Sequence, residues 1–218
     1  MKRYLFRSDP AEITDARHWT ATGKPVFFND PYKTIIDPRD LYIHLTHQSR
    51  YAGAIHLPIL LHLALCVKIA KALGLSHRLV ALSAAHDLHE AYCQDLTSAL
   101  KKEITAYYFL EADWISRVHA GISLDMPSAE EAEEVKMVDL YALWIETLSM
   151  GFTGHVEIAK WVKPTEKMQA KLESIWKMMP NDPEHWMLIV TEAINNGGGA
   201  LPALSKYPKL NYLAEHNA

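Results

Sequence analysis

Cysteine is scarce in this sequence, with two in 218 residues. Two cannot build the framework of a disulfide-stapled secreted domain, so a reducing, cytoplasmic setting is the simpler expectation. Basic charge is not in excess either: 22 Lys and Arg stand against 26 Asp and Glu, a net charge of −4 with neutral histidines. A basic stripe is the usual footprint of nucleic-acid binding. Its lack argues against a nucleic-acid polymer and for a small-molecule partner. Long apolar runs are missing as well. The longest, Leu57 to Val67, is interrupted by Pro58 and His62, and a membrane span needs roughly 20 apolar residues. The opening MKRYLFRSDPAEITD has no apolar core of a signal peptide. No membrane partner is expected. After residue 37 there is no alternating strand pattern of any length, and no internal repeat.

What is present is helical periodicity. Hydrophobic residues make up 49% of the chain, enough for one core of good size. Residues 1–37 read as irregular, with a loop or short hairpin in TGKPVFFNDPYKTIIDP. Asp37-Pro38 opens a first helix through RDLYIHLTHQSR, broken by Gly53. A second runs from Pro58, suited to a first turn, to Leu73, where Gly74 stops it. SHRLVALSAAHDLHEAY reads as a third, capped by Ser76. Residues 95–122 read as one long helix or two short ones. Ser128 and Glu131 form a capping box for the helix that follows. Pro164 to Met179 is amphipathic, with Met168, Leu172, Ile175 and Met179 on one stripe. A last helix spans Asp182 to Asn195. The expectation is an all-α single domain over 1–218, with a core at about 38–150, a C-terminal helical extension at 151–196 and a tail at 197–218.

The histidines carry the chemical signal, twelve in all. In AAHDLHEAYCQDL, His86, Asp87, His89, Glu90, Cys93 and Asp95 crowd together. On a helix, residues three or four apart share a face, so His86 and Glu90 are neighbours. This is either a polar helix face or half of a metal site. The second reading demands partners, and two apolar helices each hold one out-of-place polar residue: His62 in PILLHLALCV and Asp139 in VKMVDLYALWI. Taken alone, His62 is an ordinary core histidine and Asp139 a capped or solvated carboxylate. Together with His86 and Asp87 they make two imidazoles and two carboxylates from three helices. Such a set suits one divalent transition ion, Co, Mn, Zn or Fe, or else Mg.

The order His62, His86-Asp87, Asp139 resembles the HD-domain phosphohydrolases, a superfamily built on a helical bundle. HDLHEAYCQDLTSALK is similar to the segment of 5′-deoxynucleotidases and phage-type dATP triphosphohydrolases that carries His86, Asp87, Glu90, Asp95 and Lys101 here. EEVKMVDLYALWIETL resembles the segment around their last ligand, with Lys136 three residues before Asp139. HQSRYAGAIHLPILLH resembles their opening segment, with Arg50 and Tyr51 about a dozen residues before the first ligand. The likeness covers roughly residues 25 to 150. It departs at the first ligand, where the family shows Glu-His-Ser and this chain has Leu61-His62-Leu63, which makes His56 the substitute candidate.

The resemblance implies a metal-dependent hydrolase of deoxynucleoside phosphates, either a monophosphate nucleotidase or a triphosphohydrolase. It implies one ion held by His62, His86, Asp87 and Asp139. Glu90 would take a proton from the attacking water or orient it. Asp95 would contact sugar or water, or simply cap the next helix. Arg50 and Lys101 would hold phosphate oxygens. Tyr51 would stack on base or sugar, and His56 would be a further substrate contact. Related enzymes self-associate, so a homo-oligomer is expected. The competing reading is a non-catalytic HD-like nucleotide-binding or regulatory module, which requires the metal set or Glu90 to be broken.

Overall fold

The computed structural model describes residues 17–152 and 155–203. The expectations for residues 1–16 and 204–218 lie outside that range. The described chain begins with a hairpin. Strand β1 (Arg17–Trp19) pairs antiparallel with β2 (Pro25–Phe27), and His18 faces Val26. The remaining elements are helices: α1 (Pro38–His47), α2 (Ile59–Leu73), α3 (His77–Ala85), α4 (Glu90–Cys93), α5 (Ser98–Glu103), α6 (Thr105–Gly121), α7 (Ala129–Ser149), α8 (His155–Trp161), α9 (Glu166–Lys177) and α10 (Pro183–Asn196).

Helix α2 is the hub. It packs against α1, α3, α7, α9 and α10, and Leu60, Leu63, Ala64, Leu65, Cys66 and Val67 on it are fully buried. A helix this largely apolar, with only Lys68 and Lys71 as exposed charges, belongs inside a bundle, and Gly74 ends it in a left-handed conformation, φ 75°. The last helices are not an appendage to this core. Helix α10 packs on α2 and α3, and α9 on α7 and α2. The start of the tail is also fixed in place. Ala200 N donates to Ile122 O at 2.6 Å, and Asn195 brackets Leu201 through both its amide atoms.

One sequence expectation changes, and the alternatives left open over 95–122 are decided. The third helix does not run on to Tyr92. It stops at Ala85, and the chain passes through a tighter turn before α4. There Leu88, Glu90, Ala91 and Tyr92 donate to carbonyls three residues back, at 3.1, 3.1, 3.2 and 2.9 Å, the 3-10 pattern. The segment 95–122 is two helices, and Thr97, not Asp95, caps the first by accepting from Leu100 N. The short helix α8 was not expected. No helix of the described residues is long and apolar enough to cross a membrane.

The hairpin is tied to the bundle by an aromatic stack and a carboxylate. Tyr92 stacks on Trp114 with centroids 5.1 Å apart, and Phe28 meets Trp114 edge-on at 6.3 Å. Asp37 caps α1 by accepting from Arg39 N at 2.9 Å. It also pairs with the Arg39 guanidinium at 2.6 Å and with Lys24 from the hairpin. Burial opposes ionisation of Asp37, but hydrogen bonds from Arg39 and Lys24 outweigh it and hold the carboxyl below the usual carboxylate range. A carboxylate depressed in the fold stabilises it above the unfolded value near pH ~4, and that contribution fades as the pH falls further. Asp37→Ala should therefore lose about 2 to 4 kcal/mol at pH 7, from the cap and the charged hydrogen bonds together. The difference from the unmodified protein should shrink below pH ~4, as read by urea unfolding at each pH. An equal deficit at pH 7 and pH 3 would contradict this assignment.

Candidate metal centre

His62 lies one turn into α2, where the helix is enclosed on all sides, and it is fully buried. A buried imidazole needs partners for both nitrogens. Its Nδ1 faces Glu146 Oε1 at 2.7 Å, which leaves Nε2 pointing inward. The tightened turn after α3 brings two more donors to that nitrogen. His86 Nε2 stands 3.3 Å from it, and Asp87 Oδ2 3.6 Å. Helix α7 supplies Asp139 Oδ1 at 3.5 Å. Between the other elements, His86 Nε2 is 3.2 Å from Asp87 Oδ2 and 4.0 Å from Asp139 Oδ1. His86 is oriented by Ser83 O, 2.9 Å from its Nδ1.

These spacings suit a common ion. Ligands about 2.0 to 2.1 Å from a tetrahedral cation stand about 3.4 Å apart. Charge fits too. Asp87, Asp139 and the fully buried Glu146 surround the mostly enclosed guanidinium of Arg50 at 3.2, 3.8 and 3.5 Å. Three carboxylates and one guanidinium leave two negative charges, which a divalent cation would neutralise. Lys136 reaches the other Asp139 oxygen at 2.6 Å, but its side chain is 62% exposed and screened by solvent.

Cys66, one turn beyond His62, is a donor the sequence reading passed over. His62, Cys66 and His86 offer ligand atoms within 4.8 Å of one another, a group that could hold a metal ion. Sγ of Cys66 lies 3.5 Å from His62 Nε2 and 4.0 Å from Nδ1. These two distances place it off the axis of the Nε2 lone pair. Burial holds the thiol well above its ordinary range, reinforced by Asp139 and Glu146.

The electrostatics without an ion follow from this crowding. Burial works to lower the basicity of His86, but Asp87 beside it wins, and its pKa is pushed up to about 9. Burial would raise Asp87, yet His86, His62 and Arg50 hold it well below the usual range. Glu90, on α4, behaves oppositely. Burial first, then Asp87 and Asp95, push its carboxyl well above the ordinary value, and its Oε2 has no hydrogen-bond partner. Asp95 is half-buried, and burial raises it in the same direction.

The remaining candidates divide. Arg50 and Tyr51 come to the site on an unusual turn in which Tyr51, Ala52 and Gly53 all have positive φ, 59°, 51° and 78°. The Tyr51 hydroxyl donates to Glu146 Oε2 at 2.9 Å, and its ring meets Phe152 at 5.6 Å. It is packed into the site, not left as an open stacking surface. Lys101 is not a free cation: it is ion-paired with Glu111 of α6, which also approaches His89 Nε2 at 3.4 Å. Burial would lower Lys101, but Glu111 keeps it firmly protonated. His56 is exposed on the loop before α2, and no contact ties it to the centre. Glu146 itself was missed. Its one sequence signal is its place two turns after Asp139, on the same face of α7.

No protein-family model matches this sequence, and no curated protein shows significant similarity to it. The helical architecture and the His62–Cys66–His86 group are compatible with an HD-type domain.

Proposed function

We propose that this chain is a metal-dependent phosphohydrolase of the HD type that acts on deoxynucleoside phosphates. The observation that carries the reading is the meeting of His62, His86, Asp87 and Asp139 donor atoms, all within 3.2 to 4.0 Å of their neighbours, beside a buried arginine. A bound divalent ion would supply Lewis acidity toward phosphate and a more acidic water. His62 and His86 would offer it Nε2, and Asp87 and Asp139 one oxygen each.

The protein's own groups account for the rest. Arg50 has carboxylates on several sides, and its guanidinium can turn its fork toward phosphate oxygens. Glu90 holds a buried oxygen with no protein partner, the property expected of a group that can accept from a water molecule. Its affinity for protons is raised chiefly by burial and Asp87. Neutralising Asp87 therefore favours the ionised Glu90 that can accept a proton. Lys101, held by Glu111, adds positive charge on the same side as Glu90. A net charge of −4 with local cations at Arg50 and Lys101 suits a small anionic substrate better than a polymer.

The test is release of phosphate, pyrophosphate or triphosphate from a panel of dNMPs and dNTPs with Co, Mn, Zn, Fe and Mg compared. The expected result is metal-dependent release from at least one class, and the phosphorus product distinguishes monophosphate from triphosphate chemistry. No release above the metal-only blank for any pair would sink the hydrolase reading.

A further inference from the structure

Glu146 is fully enclosed, with 0% exposure, and it touches three functional side chains at once. Oε1 lies 2.7 Å from His62 Nδ1. Oε2 accepts from the Tyr51 hydroxyl at 2.9 Å and lies 3.5 Å from Arg50 Nε. The Tyr51 hydroxyl and the Arg50 guanidinium are donors facing the same carboxyl, which marks Glu146 as the acceptor and gives the hydrogen on the 2.7 Å contact to the imidazole. That assigns Nδ1–H to His62 and frees Nε2 for a cation. The same carboxylate anchors Tyr51 and Arg50 at the head of the left-handed turn. Among the described residues Arg50 Nε has no hydrogen-bond partner, so the Glu146 ion pair is its one polar contact, while Nη1 of the same guanidinium donates to Asp87 at 3.2 Å.

We propose that Glu146 is a positioning residue that couples the cation-binding imidazole to the anion-binding turn. It sets the His62 tautomer on one oxygen and the pose of Arg50 and Tyr51 on the other, so cation and phosphate affinity depend on one side chain. This inference rests on the metal-centre reading. A carboxylate behind a metal-bound histidine is a known way to fix ring orientation and raise ligand basicity. What is particular here is its second oxygen, which reaches a different functional group on a different segment.

The experiment compares the full chain with Glu146→Gln in two titrations, Co(II) alone by its visible absorption and inorganic phosphate on the zinc-loaded protein by calorimetry. Loss of the charge should weaken Co(II) binding by about tenfold or more, within the range seen for such partners, and weaken phosphate binding alongside it. A role confined to folding would lower the melting temperature and leave both affinities of the folded protein unchanged. Co(II) binding by the unmodified protein with an unchanged affinity in Glu146→Gln overturns the inference and leaves the centre standing. A phosphate affinity that does not move overturns the coupling. Failure of the unmodified protein to bind Co(II) or zinc overturns the centre and the inference together. Should Glu146→Gln not fold, long-range ¹H–¹⁵N correlation of the zinc-loaded, unmodified protein decides. A protonated Nδ1 on His62 supports the assignment, and a protonated Nε2 defeats it.

Discussion

Asp139→Ala should abolish metal binding and hydrolysis together while leaving the helices intact. Asp139 is the one donor that α7 contributes to the His62, His86 and Asp87 group. Its removal takes away an oxygen and changes the charge. The buried set would fall from three carboxylates to two against Arg50, and a divalent cation would then leave an uncompensated positive charge. Metal content after dialysis should drop from about one equivalent to near none, since the site depends on its ligand count. The fold should survive, because Asp139 is half-buried and otherwise meets only the exposed Lys136 and Arg50. Elemental analysis with far-ultraviolet circular dichroism checks both halves. Full metal occupancy in a folded Asp139→Ala protein would remove Asp139 from the centre.

Glu90→Gln should behave in the opposite way, keeping the metal and losing turnover by about 10²- to 10⁴-fold, the range of a positioned general base. The amide matches the carboxyl in shape but cannot accept a proton at its nitrogen. Glu90 is not among the atoms that crowd His62 Nε2, so cation affinity should change little. Stability should hold or rise, because the carboxyl is buried with one oxygen unpartnered and is opposed by Asp87 and Asp95. Single-turnover rates and metal content of the same preparation separate the two effects. Metal loss equal to the loss in rate would make Glu90 a ligand and not a base.

Local signals carried most of the fold. The capping box of Ser128 and Glu131, the left-handed Gly74 and the Asp182 cap are each set by a few neighbouring residues, and so they are readable in sequence. The third helix failed because its break is tertiary. His86 and Asp87 can both face His62 only if the chain tightens after Ala85, and nothing in the run VALSAAHDLHEAY marks that stop. The candidate ligands were legible as polar residues stranded on apolar helices. Glu146 was not, because IETLSM at the end of a helix reads as a surface segment, and only the imidazole behind it gives the carboxylate a reason to be inside. The ion pair of Lys101 was not legible for a similar reason: its partner Glu111 lies on the next helix, and a lysine in a polar sequence carries no mark of the acid that will meet it.

His62 stands on the helix that five other helices touch. Nearly every interior side chain is thus at most a few contacts from that imidazole. A random-mutagenesis map of this protein would blur chemistry into architecture, since a substitution at Leu63 or Ile69 would disturb the ring and the bundle in one stroke. Variants off the hub helix, at Arg50, Glu90 or Asp139, are where the two kinds of damage can be told apart.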